Sequence, residues 1–159
     1  MDKVNKILQN EKYKSYIKLN EECERERIFC CHGMQHLLDV ARIGYIMSLE
    51  KDLKISKNLI YSAALLHDIG RWKEYEDGTP HEVVGAQLAR DILRESGYND
   101  EEMAYILEAI GNHRKKDNVP GSLSDILSKS DKLSRNCFNC LEEKQCNWAQ
   151  EKKNFNIQF

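Results

Sequence analysis

Apolar residues recur along this chain at spacings of three and four, with charged residues between them, and that period predicts a series of amphipathic helices. Residues 3 to 27 read as one or two N-terminal helices, with Val4, Ile7, Leu8, Tyr13, Ile17 and Leu19 as apolar points. The mixed-charge run EECERER at their end reads as a solvated helical face. From about Gly33 to Leu49, the residues Leu37, Val40, Ala41, Gly44 and Met47 form a core stripe. The most apolar helix spans about Ser56 to Asp68, with Ser56 placed to cap it. RWKEYEDG, which follows Gly70, reads as a loop. TPHE then reads as a helix start: Thr79 caps, Pro80 takes the first helical position, and Glu82 completes a capping box. That helix carries Val84, Gly85, Leu88, Ala89, Ile92 and Leu93. Asn99 caps another from about Asp100 to His113, and a last one runs from about Ser122 to Asn136. The expectation is an all-α, compact multi-helix domain over residues 1–136, with its core at 28–136. A cysteine-containing tail, 137–159, packs on the same domain.

Composition narrows the class. A chain of 159 residues is one domain's worth and enough for a real hydrophobic core. Apolar residues at 41% and charged residues at 31% are the balance of a soluble globular protein. No apolar stretch approaches the ~18 residues of a membrane span, and the start MDKVNKILQNEKYK lacks the apolar core of a signal peptide. A cytoplasmic location and no membrane partner are the expectation. The net charge of −2 offers no global field for nucleic acid, so no duplex partner is expected. Arg114-Lys115-Lys116 is short and reads as solvated loop.

The five histidines are His32, His36, His67, His81 and His113. His36 shares the side of its helix that carries Val40 and Ile43. His67 and Asp68 end the most apolar helix, and His81 lies in the first turn of its own. His113 follows Ile106 and Ile110 on a buried stripe. Leu123, Leu127 and Asp131 are spaced by four, so Asp131 points where leucines point, and a carboxylate does not go there unpaired. One such residue would be a satisfied core polar group. Five sites on five helices have a more economical common cause. A shared transition-metal ion neutralises the acids and satisfies the ring nitrogens.

At this point the sequence resembles the HD-domain superfamily of metal-dependent phosphohydrolases. The match is His36 in HLLDVARI, the doublet His67-Asp68 in LHDIGR, His81 in PHEVVGAQLA, His113 in IGNH, and Asp131 in SDKLSR. The resemblance implies a helical fold with the metal buried between helices, and His36, His67, Asp68 and Asp131 as ligands of one ion. His81 and His113 would hold a second, with Asp68 bridging. It implies one or two divalent transition metals (Fe, Mn, Zn, Ni or Co) and a metal-activated hydroxide attacking a phosphomonoester, phosphodiester or anhydride of a small molecule, a nucleotide first among candidates. Asp68, Arg71 and Lys132 are then the catalytic candidates. Arg71 follows the doublet, Lys132 adjoins Asp131, and Arg135 and Arg114 rank after them as phosphate-steadying cations. The extra motifs of the cyclic-dinucleotide branch are absent. A small branch of HD-fold proteins uses the same ligands to hold two irons for oxygenase chemistry. That reading, and a non-catalytic nucleotide or metal sensor, stand as the alternatives.

The cysteines are a separate matter. In a cytosolic chain they bind metal or stay reduced more often than they form disulfides. CFNCLEEKQC places Cys137, Cys140 and Cys146 at C-x2-C-x5-C spacing, and CCH precedes the helix that bears His36. Because His36 and Asp131 should meet at one metal, the two cysteine-bearing segments should be neighbours. Cys137, Cys140 and Cys146, with Cys31 (or Cys30 or His32) as the fourth ligand, could hold a structural zinc; an iron–sulfur cluster is the weaker expectation. Cys23 has no partner by spacing.

Overall fold

The computed structural model describes all 159 residues. Eight α-helices follow one another: α1 (Asp2–Gln9), α2 (Glu11–Cys23), α3 (Met34–Glu50), α4 (Lys57–Leu66), α5 (Arg71–Asp77), α6 (His81–Glu95), α7 (Asp100–Asn112) and α8 (Leu123–Leu133). Three short 3-10 turns, Cys137–Asn139, Glu143–Gln145 and Gln150–Lys152, shape the tail. The structure has no strand, and no helix is long and apolar enough to cross a membrane.

Helix α4 is the centre of the bundle. Ile60, Ala63, Ala64, Leu65 and Leu66 are all buried, and α1, α3, α6, α7 and α8 pack around them. The alanines let the neighbours approach closely, and the unbroken apolar run tolerates neighbours on every side. The helix is started by the Ser56 hydroxyl, which accepts from the Leu59 amide at 3.4 Å. Asn99 and Glu102 form a reciprocal capping box on α7, and Ser122 caps α8. These caps satisfy amides that the helix itself leaves without acceptors.

Four expectations are corrected. Residues 71–77 form the short helix α5, not a loop, closed by Gly78 at φ 80°. The start of α6 lacks the expected cap: Pro80 occupies the N-cap, and the Thr79 hydroxyl donates to Asp77 instead. Within EECERER, Glu24 is buried rather than solvated. Finally, Leu19 lies at the surface while its neighbour Asn20 is buried.

The Asn20 exception positions the site. Its side-chain amide donates to the Asp68 carbonyl at 2.8 Å, and its oxygen accepts from the Trp72 amide at 2.7 Å. One buried side chain thus fixes the turn between α4 and α5 on α2. The other side of that turn is held by close backbone approach. A Cβ on Gly70 would lie 2.7 Å from the Gly85 amide nitrogen and 2.8 Å from the His81 carbonyl oxygen. Glycine there lets α6 lie directly on the turn, which carries His81 to the doublet.

Candidate metal centre

Four histidines and two aspartates converge where α3, α4, α6, α7 and α8 meet. His67 directly follows α4 and His113 directly follows α7, and each repeats the same device. Its Nδ1 lies 2.7 Å from the carbonyl oxygen three residues back, Ala64 or Ile110 respectively. A carbonyl only accepts, so Nδ1 carries the proton and Nε2 presents a lone pair. His36 reaches the same state by another route. Ser134 donates its hydroxyl proton to the Asp131 carbonyl at 2.7 Å, and so accepts from His36 Nδ1 at 3.1 Å. His81 Nδ1 is in very short contact with the Glu74 carboxylate, which fixes its tautomer the same way. All four rings are therefore anchored through Nδ1 and offer Nε2 inward.

What those nitrogens face is Asp68. Its Oδ2 lies 3.2 Å from His67 Nε2 and 3.5 Å from His36 Nε2, while its Oδ1 lies 3.1 Å from His81 Nε2. Asp131 Oδ1 joins the first group, 3.5 Å from His36 Nε2 and 3.9 Å from His67 Nε2. His113 Nε2 joins the second, 3.2 Å from His81 Nε2. The ligand atoms of His36, His67 and Asp68 lie within 4.8 Å of one another, and so do those of Asp68, His81 and His113. Two donor sets therefore share one carboxylate, which offers a different oxygen to each.

The electrostatics suit a bound cation. Burial works against charge on His67, but the Asp68 and Asp131 carboxylates overcome it and raise its pKa to about 10. Asp68 is held well below the usual carboxylate range by His67, His36 and His81 in spite of burial. Asp131 falls to about 2, again against burial, through its bond to His67. His113 goes the other way: burial and the neighbouring His67 lower it to about 4, so it stays neutral. Asp68 is buried with Asp131 half-buried beside it, and Nε2 of both His36 and His67 is buried without a hydrogen bond of proper geometry. Divalent ions fit this donor set in charge and in ligand type.

A chain of groups reaches the site from α2. Glu24 accepts from the His32 amide at 2.6 Å and the Tyr75 hydroxyl at 2.6 Å, and its Oε1 lies 2.5 Å from His32 Nδ1. These donors hold its carboxyl down at about 2 although burial opposes them. His32, kept neutral by burial, accepts at Nε2 from Arg71 at 3.0 Å. Arg71 is thereby aimed along the wall of the site, its Nε 3.9 Å from Asp68 Oδ2.

Arg71, Arg114, Lys132 and Arg135 line the cavity of about 530 Å³ over the histidines, with Tyr75 and Trp148 as aromatic walls. Arg114, expected as solvated loop, bonds Glu74 at 3.0 Å and Glu82 at 3.4 Å. Lys132 donates to Ser128, and Arg135 stacks on Trp148 at 4.4 Å. All six expected ligands thus come together, and Arg71 and Lys132 border them. Sequence reasoning missed Glu24, Glu74, Asn20 and Ser134, and gave His32 only as an alternative ligand beside the cysteines. Only Glu74 had a legible signal, since it falls one helical turn after Arg71 once residues 71–77 are read as helix.

The fold and site define an all-helical domain built around a buried His–Asp cluster of the kind that holds metal. Residues 33–136 match the HD domain model, more than half of the chain, and the chain belongs to that family of metal-dependent phosphohydrolases. It is 42% identical over all 159 residues to an uncharacterized protein of Clostridium beijerinckii, covering that protein completely. It is also 40% identical over 96 residues to ribonuclease Y of Desulfotalea psychrophila, covering 59% of this chain and 16% of that one. Ribonuclease Y of Oleidesulfovibrio alaskensis is 30% identical over 118 residues, 74% of this chain and 21% of that one. The chain spans about a fifth or less of the length of these two ribonucleases. No solved structure matches it significantly.

Proposed function

We propose that this protein is a metal-dependent phosphohydrolase that cleaves a phosphate ester or anhydride of a small molecule, a nucleotide by preference. The observation that carries the reading is the division of Asp68 between two donor sets, Oδ2 toward His36, His67 and Asp131, and Oδ1 toward His81 and His113. Metal ions held there would polarise a phosphoryl oxygen and lower the pKa of water toward neutrality.

The chain's own residues supply the rest. Arg71, fixed by His32, and Lys132 place positive charge beside the acids, where a phosphate would lie. Five cations around one cavity, Arg27 among them, favour a phosphorylated substrate. Trp148 and Tyr75 offer faces on which a base can stack. The ribonuclease name of two relatives supports phosphodiester chemistry in particular.

The test is phosphate or nucleotide release from p-nitrophenyl phosphate, bis-p-nitrophenyl phosphate, a nucleotide panel and short single-stranded RNA, with Mn, Fe, Co, Ni, Zn or Mg supplied. Turnover with at least one metal, abolished in Asp68→Ala, is expected. Absence of hydrolysis across the panel in protein shown to have bound metal would overturn the reading. Oxygen uptake with an organic cosubstrate would replace it with the oxygenase.

A further inference from the structure

Beside the His–Asp centre lies a second cavity, of about 410 Å³, and its chemistry is sulfur. Cys30, Cys31, Cys137, Cys140 and Cys146 line it, brought together from the segment before α3 and from the tail after α8. All five are unbridged; Cys31 is exposed, and Cys30, Cys137, Cys140 and Cys146 are the four that are partly buried. The tail is folded to present them. The Cys140 amide donates to the Cys137 carbonyl across a 3-10 turn, the Phe138 amide donates to the Asn154 carbonyl, and the Asn154 side chain ties back to the carbonyls of Lys132 and Arg135.

We propose that these four cysteines hold a [4Fe–4S] cluster. Four thiolates from a C-x2-C-x5-C run and one distant cysteine are a complete ligand set for a cluster or for a single zinc ion. Spacing separates the two. Zinc needs its sulfurs at ~2.3 Å from one centre, hence under ~4 Å from each other, yet no three of these thiols lie within 4.8 Å of one another. A cuboidal cluster holds its ligand sulfurs farther apart and fills a cavity that a lone ion would leave mostly empty.

The surroundings suit the net negative charge of such a centre. The Lys153 ammonium is almost fully buried, bonded to the Glu143 carbonyl at 2.9 Å and carboxylate at 2.8 Å. It lines the same cavity as the thiols. Arg135 lines the same cavity, a second cation beside the sulfurs.

The fourth ligand is Cys30 rather than Cys31. Cys31 Sγ is turned to the backbone carbonyls of Phe29 at 3.4 Å and Arg27 at 3.7 Å, and its charged neighbours are Glu24 and Arg27. The consequence reaches the hydrolytic site, because Cys30, Arg135 and Trp148 border both cavities. The cluster would clasp the tail in place and so hold the Arg135–Trp148 wall over the metal centre.

The experiment is anaerobic purification of the full chain, with iron, acid-labile sulfide and zinc counted per chain and the visible absorption recorded. About four labile sulfides per chain are expected, with a broad visible band that dithionite bleaches. They should be lost in Cys140→Ser and Cys30→Ser and kept in Cys31→Ser and Cys23→Ser. Labile sulfide distinguishes the cluster from iron at the His–Asp centre, and far-ultraviolet circular dichroism identifies any variant that fails to fold. One zinc without labile sulfide, lost in the same two variants, would overturn the cluster. Neither sulfide nor cysteine-dependent zinc in the wild type would overturn the site.

Discussion

Asp68 turns one carboxylate oxygen, Oδ1, to Nε2 of His81 at 3.1 Å, and keeps the other for the His36–His67 pair. A carboxylate used on both edges is placed as a bridge between two charges. Its backbone is placed with equal care, since Asn20 grips the Asp68 carbonyl from α2 and Gly70 lets α6 close on the other side.

The two donor sets can be emptied separately. His81→Ala removes a ligand only from the second, so equilibrium dialysis with Mn or Zn should find one ion fewer per chain than in the wild type. Loss of all bound metal in His81→Ala alone would mean that the sets are a single site.

Glu74 orients His81 from behind. Glu74→Gln weakens the acceptor at Nδ1 and should lower metal affinity by about 10–100-fold, the usual cost of such a partner. Competition against a fluorescent chelator measures it, and unchanged affinity would remove Glu74 from the account.

Gly70→Ala places a methyl against the Gly85 amide and the His81 carbonyl. Overpacking of this kind costs about 1–3 kcal/mol, seen as a lowered Tm, and it should weaken metal binding by displacing α6. Gly111→Ala in α7 is the control. No atom lies within 4 Å of its Cβ position, and alanine there should stabilise the helix slightly, by up to ~1 kcal/mol. Equal behaviour of the two variants would refute the close-approach argument.

Much of this was legible in the sequence, for a physical reason. Helix period, caps at Ser56 and Asn99, and polar ligands at the ends of apolar stripes are all local patterns. The second layer was not legible. Glu24 sits in a run whose composition suits a solvated surface, and only the return of residue 32 to α2 buries it. Asn20 replaces an apolar residue on a core face, which periodicity scores as an error. Thr79 looked like a cap because Thr-Pro-His-Glu has the right letters, but Asp77 takes its hydroxyl and leaves α6 uncapped. In each case a distant or competing partner decided the outcome.

The Glu24–His32 pair predicts a pH effect of definite sign. The carboxyl is held at about 2 in the folded protein, below its ordinary 4.5, so the unfolded chain binds the extra proton first. The pair's contribution to stability is complete above about pH 4.5 and is lost as pH falls toward 2. Denaturant unfolding of the wild type should therefore lose more stability over that window than Glu24→Gln does. Parallel curves would show that the pair is not coupled to folding. The same variant should leave metal stoichiometry unchanged while lowering turnover, because Arg71 loses its support through His32.

The central claim is that two divalent ions lie on either side of Asp68. Crystals grown with Mn or Zn and measured at the metal's absorption edge test it directly through the anomalous difference map. Two peaks are predicted, one between Asp68 Oδ2 and the Nε2 atoms of His36 and His67, the other between Asp68 Oδ1 and the Nε2 atoms of His81 and His113. A map with a single peak or none, in crystals whose solution contains the metal, would contradict the account.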